Sequence, residues 1–174
     1  MVYHSNFNDE SAQYRLVGNL PILPVKTNHK GPAPKGDQSQ GDIIDEALDL
    51  FKANILFRNF EVHGNGDRVL IYLTLYISKC LLKIANMNKA DADKALFLLA
   101  QEQFTLPGDA AFPLGGMVTV PNTRDAQDTL RQYFTQLRLE LGVRLTQRVY
   151  AVDPAKPNKW WMCFSKRKFL GKAL

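Results

Sequence analysis

The most apolar segment of the chain is Val69-Leu70-Ile71-Tyr72-Leu73-Thr74-Leu75-Tyr76-Ile77-Ser78-Lys79-Cys80-Leu81-Leu82. Its length favours a helix over a strand, and the pattern predicts that this helix runs from Asp67 to about Ala85. The only charged residues after its first turn are Lys79 and Lys83. A helix that is apolar on nearly every side is buried by neighbours all round it. We therefore predict an all-α fold, a single domain with this helix at its centre.

Three further helices are predicted from apolar residues at helical spacing: about Asp42 to Phe60, Ala90 to Phe104 and Arg124 to Tyr150. Asp42 should cap the first, and Asn122 or Thr123 the last. Gly142 should weaken the last helix by ~1 kcal/mol relative to Ala. The expected inward positions are Ile44, Leu48, Phe51, Ile55, Phe57 and Phe60 in the first, Ala95, Leu98, Leu99 and Ala100 in the second, and Leu130, Phe134, Leu137, Leu141, Leu145 and Val149 in the third.

Residues 1–41 are predicted to form an extended N-terminal arm and linker ahead of a helical domain at 42–174. The strip Leu16–Val25 is apolar, but its two prolines exclude a central strand or a helix interior. Such a strip needs a hydrophobic surface, either on its own domain, which we favour, or on a neighbouring protein. Residues 30–41 have the composition of a linker.

The C-terminal tail, residues 154–174, carries six Lys or Arg and no Asp or Glu, so it accounts for the formal charge of +5. A short helix is predicted from Trp160 to Leu170, which gives about five helices in all. We expect three aromatic residues to anchor the tail on the helical body: Trp160, Trp161 and Phe164. Trp160 and Phe164, with Cys163, are expected to face inward.

Two interpretations of the tail stay open. In the first, the tail is a docking face, since Trp and Arg are enriched at binding surfaces. In the second, its aromatic residues belong to the core and its charged residues form a solvated rim. The candidate partner-binding cations are Lys166, Arg167, Lys168 and Lys172. The outer face of the first helix is predicted to carry a row of three carboxylates, Asp42, Asp45 and Asp49. This row is either a solvated face or a second contact with a partner.

Composition and motifs favour no catalytic, cofactor or metal site. His4, His29 and His63 each stand alone, without a His or Cys at metal-ligand spacing. Residues 63–67, His-Gly-Asn-Gly-Asp, resemble a phosphate-binding loop but have neither a third glycine nor a Gly-Lys-Ser/Thr sequence. A tight turn into a capped helix explains them better. There is no secretory signal pattern or membrane-spanning run, and the two distant cysteines indicate a reduced, intracellular setting.

Several segments, in order along the chain, carry a family resemblance: Tyr3-His4-Ser5, Gly31-Pro32-Ala33-Pro34, Asp42-Ile43-Ile44-Asp45-Glu46-Ala47 with Phe51-Lys52-Ala53-Asn54, residues 67–78, Pro107-Gly108 with Phe112-Pro113-Leu114, and Lys159-Trp160-Trp161 with Cys163-Phe164. Together they resemble subunit 3 of the actin-related protein 2/3 complex over nearly the whole chain. Each segment alone is weak, but their order and separations are highly specific.

The resemblance implies an all-α, non-catalytic structural subunit of a branched-actin nucleator, without a bound nucleotide. It implies the other subunits as partners, chiefly actin-related protein 3, together with the actin filament and nucleation-promoting factors. The implied location is the cytoplasm and cytoskeleton, at cortical actin and cell projections. The implied role is scaffolding of actin-related protein 3 and contact with the mother filament.

The alternative function is a nucleic-acid binding module that uses the basic aromatic tail. A sequence pI near 9.2 suits it, and bases could stack on Trp160 or Trp161 while lysines contact phosphates. Against it, 17 acidic residues lie in the body of the chain and confine the excess positive charge to the tail. We therefore expect no nucleic-acid partner.

Overall fold

The computed structural model describes residues 1–9 and 13–174. Within these ranges the chain forms, in order, β1 Leu16–Val17, β2 Leu20–Pro21, α1 Ile43–Asn54, α2 Asn65–Lys83, α3 Lys89–Gln101, α4 Arg124–Val149 and α5 Lys159–Met162. The two strands form a small antiparallel pair, and all the longer elements are helical. The predicted all-α fold with one domain is therefore confirmed. No helix in the described ranges is long and apolar enough to cross a membrane.

Helix α2 occupies the centre of the fold, as predicted. It packs against α1, α3 and α4, and every residue from Val69 to Ile77 is buried. Leu82, which we expected inside, is 57% exposed because it lies with Lys83 on the outer side of the last turn, whose Cys80 and Leu81 are buried. The helix also begins two residues earlier than predicted, with Gly64 as its N-cap. The apolar composition thus identified the central helix but not its ends.

Helix α1 begins as predicted and ends earlier. Asp42 and Asp45 form a capping box, in which each side chain accepts a hydrogen bond from the other residue's backbone N–H. The helix ends at Asn54, not Phe60, and the buried amide of Asn54 bonds both the N–H and the C=O of Tyr3. Phe60 is buried nonetheless, from the following loop, where its ring meets Phe169 edge-on.

Helix α4 carries the predicted apolar stripe, and α3 packs on it with only part of the face predicted, since Leu99 and Ala100 are buried as expected. All six stripe residues of α4 are buried, and Thr123 caps the helix through the N–H of Ala126. In α3, Leu98 is 63% exposed, and Ala92 and Leu96 are buried instead. Gly142 explains the shift, since a Cβ there would lie 3.2 Å from Leu96 Cβ. The glycine allows α3 to approach α4 closely.

The N-terminal arm lies on the helical body, as favoured. Leu20, Ile22, Leu23 and Val25 are each at most 1% exposed and belong to the same hydrophobic core as the helices. The linker-like segment 30–41 is also held in place, because Val25 pairs with it through the Pro34 carbonyl and the Gly36 amide. The division of the single domain into an arm at 1–41 and a helical part at 42–174 stays a prediction.

Candidate interaction surfaces

The C-terminal tail is a series of turns rather than the predicted helix from Trp160 to Leu170. Asn158 caps the single helical turn α5 through the N–H of Trp160, at 2.8 Å. After α5 the chain turns and ends in a 3-10 turn at Phe169–Gly171. Leu170 and Gly171 there have φ of 56° and 68°, a left-handed conformation in which an α-helix cannot continue.

Two of the three expected aromatic anchors lie on the helical body, and the third does not. The Trp161 ring is 6.0 Å from the Phe51 ring and nearly parallel to it, with the Lys52 ammonium 4.4 Å from its centroid. Phe164 is half-buried and meets Phe51 edge-on. Trp160 is 65% exposed and Cys163 is exposed as well, so the expected inward positions of both are wrong. Successive residues of a helix point about 100° apart, so adjacent tryptophans cannot both face the body.

The predicted basic cluster, which we define as residues 166–168, lies on an exposed turn held at both ends. Phe164 before it and the fully buried Phe169 after it both pack on the core. Lys166, Arg167 and Lys168 are exposed, and none forms an ion pair within the parts of the chain that the structure describes. Lys172 is half-buried and stands apart from this turn. The turn therefore presents three adjacent, unneutralised cations at a fixed place.

The three acidic candidates do not form one solvated row, as the sequence had suggested. Asp42 is 4% exposed and makes a two-point ion pair with Arg144, at 2.6 and 2.8 Å. Asp45 pairs with the same guanidinium at 3.0 Å and with the Lys26 ammonium at 2.8 Å. Asp49 is exposed and pairs with Arg148. The sequence pattern gave no sign that Asp42 and Asp45 face α4.

The Arg144 network shifts the pKa values of Arg144 and Asp45. Burial alone would lower the pKa of Arg144, but bonds and charges from Asp42, Glu140 and Asp45 outweigh it and raise that pKa. Burial also acts to raise the pKa of Asp45. Hydrogen bonds from Lys26 and the Asp42 amide, with the charge of Arg144, reverse this and leave the pKa of Asp45 below its ordinary value. Both shifts favour the ionised forms of Arg144 and Asp45, and the network joins α1 to α4.

A second polar cluster, which sequence analysis missed, holds residues 1–9, the N-terminal segment. The buried carboxylate of Asp67 accepts hydrogen bonds from the N–H of Ser5 and of His63, and His4 Nδ1 lies 2.7 Å from it. Glu46 accepts from the Ser5 hydroxyl and the Asn6 N–H, both at 2.6 Å. The contacts made by His4, Ser5 and Asn6 join residues about forty to sixty positions apart, beyond any local pattern.

The glycines of residues 63–67 belong to this second cluster. A Cβ at Gly66 would lie 2.8 Å from the carbonyl carbon of Phe7, and one at Gly64 would lie 2.7 Å from Asn8 Cβ. The predicted turn into a helix is present, with Gly64 at the N-cap position of α2, but Gly64 supplies no side-chain capping hydrogen bond. The glycines allow close approach of the N-terminal segment.

The chemistry of the described residues offers little for catalysis or metal binding. Within those residues no group of three His, Cys, Asp or Glu is placed to hold a metal ion. Cys80 is buried in α2, and burial raises the pKa of its thiol to about 12, so it is not a thiolate at neutral pH. The exposed candidates for a partner contact are instead the basic cluster, Trp160 and the Asp49–Arg148 pair.

Comparison with known proteins gives full-length matches. The family model described as "P21-Arc: ARP2/3 complex ARPC3 (21 kDa) subunit" matches residues 1–174. Actin-related protein 2/3 complex subunit 3 of Dictyostelium discoideum is 85% identical over 174 residues, all of both chains. The subunit 3 proteins of Schizosaccharomyces pombe and Arabidopsis thaliana are 48% and 40% identical, over 172 and 171 residues, covering 99% and 98% of this chain and 98% and 97% of theirs. These names describe a subunit of a complex and no catalytic activity.

Proposed function

The chain belongs to the family of subunit 3 of the actin-related protein 2/3 complex, and we propose from this that it is a non-catalytic structural subunit supporting actin nucleation and branching. It scaffolds the actin-related protein 3 subunit and contributes surface to the contact with the mother filament. It works in the cytoplasm, on cortical actin and cell projections, where nucleation-promoting factors activate the complex.

The observation that carries the filament contact is the unpaired basic cluster. Three adjacent cations without an internal counter-ion repel one another, and an acidic surface relieves that repulsion. Actin filaments are acidic, so the cluster suits attachment to the side of a filament. Exposed charges of this kind act mainly on the association rate and are screened by salt.

The scaffolding role is supported by the way the chain ties its own ends to the helical body. The Arg144 network joins α1 to α4, and Asp67 and Glu46 hold the N-terminal segment. A surface fixed in advance loses little conformational entropy when a partner binds it. Such a chain suits a role in which it holds its neighbour in one geometry.

The test is charge reversal in the assembled complex. Lys166→Glu, Arg167→Glu and Lys168→Glu together should lower the density of branches at physiological salt while leaving assembly intact. The matched control reverses three exposed cations elsewhere, Lys83, Lys94 and Arg131, and should keep normal branching despite the same change in net charge. Unchanged branching in the first variant would remove the basic cluster from the filament contact.

The nucleic-acid alternative fits the tail less well than the filament contact does. Trp161 is covered by Phe51 and Lys52, so Trp160 is the one tryptophan with a free face for base stacking. One stacking residue beside three cations gives a weak single-strand site. Absence of salt-dependent retention of single-stranded oligonucleotides on a filter would dispose of this alternative.

A further inference from the structure

Trp160 lies beside a second exposed apolar residue at the rim of a surface concavity. Its side chain is 65% exposed, and that of Val152 is 83% exposed. Both line a concavity of about 600 Å³, together with Asp153, Lys156, Pro157, Asn158 and Lys159. Large exposed aromatic residues of this kind are the commonest anchors of protein interfaces. We call this surface the Trp160 concavity.

The backbone that carries the Trp160 concavity is fixed by contacts with the helical body. The Asn158 N–H donates to the carbonyl of Val149 at the end of α4, and the Pro154 carbonyl accepts from Lys89 at the start of α3. Trp161, the next residue, is stacked on Phe51. Trp160 is therefore exposed on a rigid base rather than on a free tail, so its burial by a partner needs little ordering.

The charges around the concavity indicate what kind of surface fits it. Lys156 and Lys159 line it, and the Lys159 ammonium lies 5.1 Å from the centroid of the Trp160 ring. Asp153 is its one acidic member, and that carboxylate accepts the N–H of Ala155. The concavity is thus apolar at Trp160 and Val152 and positive at its rim. A partner that fits it has an apolar side chain flanked by carboxylates.

We propose that the Trp160 concavity is an interface with a neighbouring subunit of the complex, which inserts one large apolar side chain flanked by Asp or Glu. This rests on the proposed role as an assembled subunit, but it is independent of the filament contact made by the basic cluster. Trp160 supplies the apolar contact area, and Lys156 and Lys159 pair with the carboxylates. Of the two adjacent tryptophans, Trp160 thus contacts the partner and Trp161 packs on the chain's own core.

The first experiment measures whether Trp160 is covered on assembly. Hydroxyl-radical oxidation of the free chain, read by tandem mass spectrometry, should modify Trp160 readily and Trp161 slowly. In the purified complex, without filament present, oxidation of Trp160 should fall to the rate of Trp161. If Trp160 is oxidised equally fast in the free chain and in the complex, the proposal is overturned.

The second experiment tests the chemistry of the occupant. Trp160→Ser, and separately Lys156→Glu with Lys159→Glu, should each weaken binding of this chain to the other subunits by roughly 30-fold, as expected for an interface anchor. Trp160→Phe and Lys156→Arg with Lys159→Arg are the matched controls and should bind nearly normally. Normal binding by the charge-reversed pair overturns the acidic occupant.

The two proposals fail separately in these measurements. Oxidation and subunit binding are read without filaments, so a basic cluster that proves irrelevant to branching leaves the Trp160 result unchanged. A chain that does not join the other subunits at all contradicts the proposed function itself.

Discussion

Arg144 on α4 binds Asp42, the N-cap of α1, through two hydrogen bonds, from Nη1 to Oδ1 at 2.6 Å and from Nη2 to Oδ2 at 2.8 Å. Its Nη2 also donates to the Lys26 carbonyl, so one guanidinium joins the arm, α1 and α4. Two-point Arg–carboxylate pairs combine charge with fixed geometry. Lysine cannot reproduce this fork.

Loss of this pair should destabilise the fold, because Asp42 would stay buried without its counter-ion. Arg144→Met should lower the free energy of unfolding by about 3 kcal/mol, the lower end for breaking a buried ion pair. The control is Arg148→Met, one turn further along α4, which removes the exposed pair with Asp49 and should cost less than about 1 kcal/mol. Urea unfolding of both variants measures the difference. Equal losses would mean that the Arg144 network adds nothing beyond a surface pair.

The lowered pKa of Asp45 predicts a loss of stability in acid. Because the folded state holds this pKa below its ordinary value, the unfolded chain binds the proton first as pH falls. The stabilisation by Asp45 is therefore complete above its ordinary pKa and disappears as pH falls through the lowered one. Asp45→Asn should flatten that part of the curve of unfolding free energy against pH. A curve unchanged from the parent chain in the acid range would contradict the assignment.

Glu46, the next residue, should show the opposite dependence. Burial is the largest influence and raises its pKa, against the lowering effect of the bonds from Ser5 and Asn6. The folded state then keeps the Glu46 proton longer than the unfolded state does. Its contribution to stability should fall as pH rises from its ordinary pKa to the raised one. Glu46→Gln should remove this decline in the free energy of unfolding, which urea unfolding across the same acidic range would detect. An unaltered decline in the variant would contradict the raised pKa.

Gly66→Ala should release the N-terminal segment, although alanine is the better helix former by about 1 kcal/mol. The new Cβ would lie 2.8 Å from the Phe7 carbonyl carbon and 2.9 Å from the Asn8 nitrogen, both backbone atoms that cannot rotate away. Hydrogen exchange at the Ser5 and Asn6 amides should accelerate. Gly41→Ala, with no atom nearer than 3.9 Å, is the control and should leave exchange unchanged. If the Ser5 and Asn6 amides of the Gly66→Ala variant stayed protected from exchange, the N-terminal segment would have accommodated the new Cβ without losing its hydrogen bonds.

Sequence rules succeeded where the deciding residues are close neighbours. The stripe of α4, the Asp42 cap and the Thr123 cap each depend on residues within a few turns. The buried centre of α2 follows from composition and length, because an all-round apolar helix too short to span a bilayer is stable only when neighbouring elements bury it.

The predictions that the structure contradicts concern residues whose position depends on a contact far away in sequence. In α3, Leu96 rather than Leu98 faces inward because Gly142, about forty-five residues later, leaves room for it. The Ser5–Asp67 bond joins residues 62 positions apart, and nothing near either one signals it. The tail helix was too short for its periodicity to assign a face. Asp42 and Asp45 looked solvated because their partner, Arg144, lies on another helix.

Trp160 and Trp161 are adjacent, and their truncation should have opposite consequences. Trp161 is 7% exposed, stacked on Phe51 and covered by Lys52, so Trp161→Ala removes a packed indole and should cost about 3 kcal/mol of unfolding free energy. Trp160→Ala removes an exposed ring and should change stability by less than about 0.5 kcal/mol. Urea unfolding of the free chain, followed by far-ultraviolet circular dichroism, measures both. Similar losses from the two substitutions would mean that Trp160 packs on the body after all, and would withdraw it from any role in binding a partner.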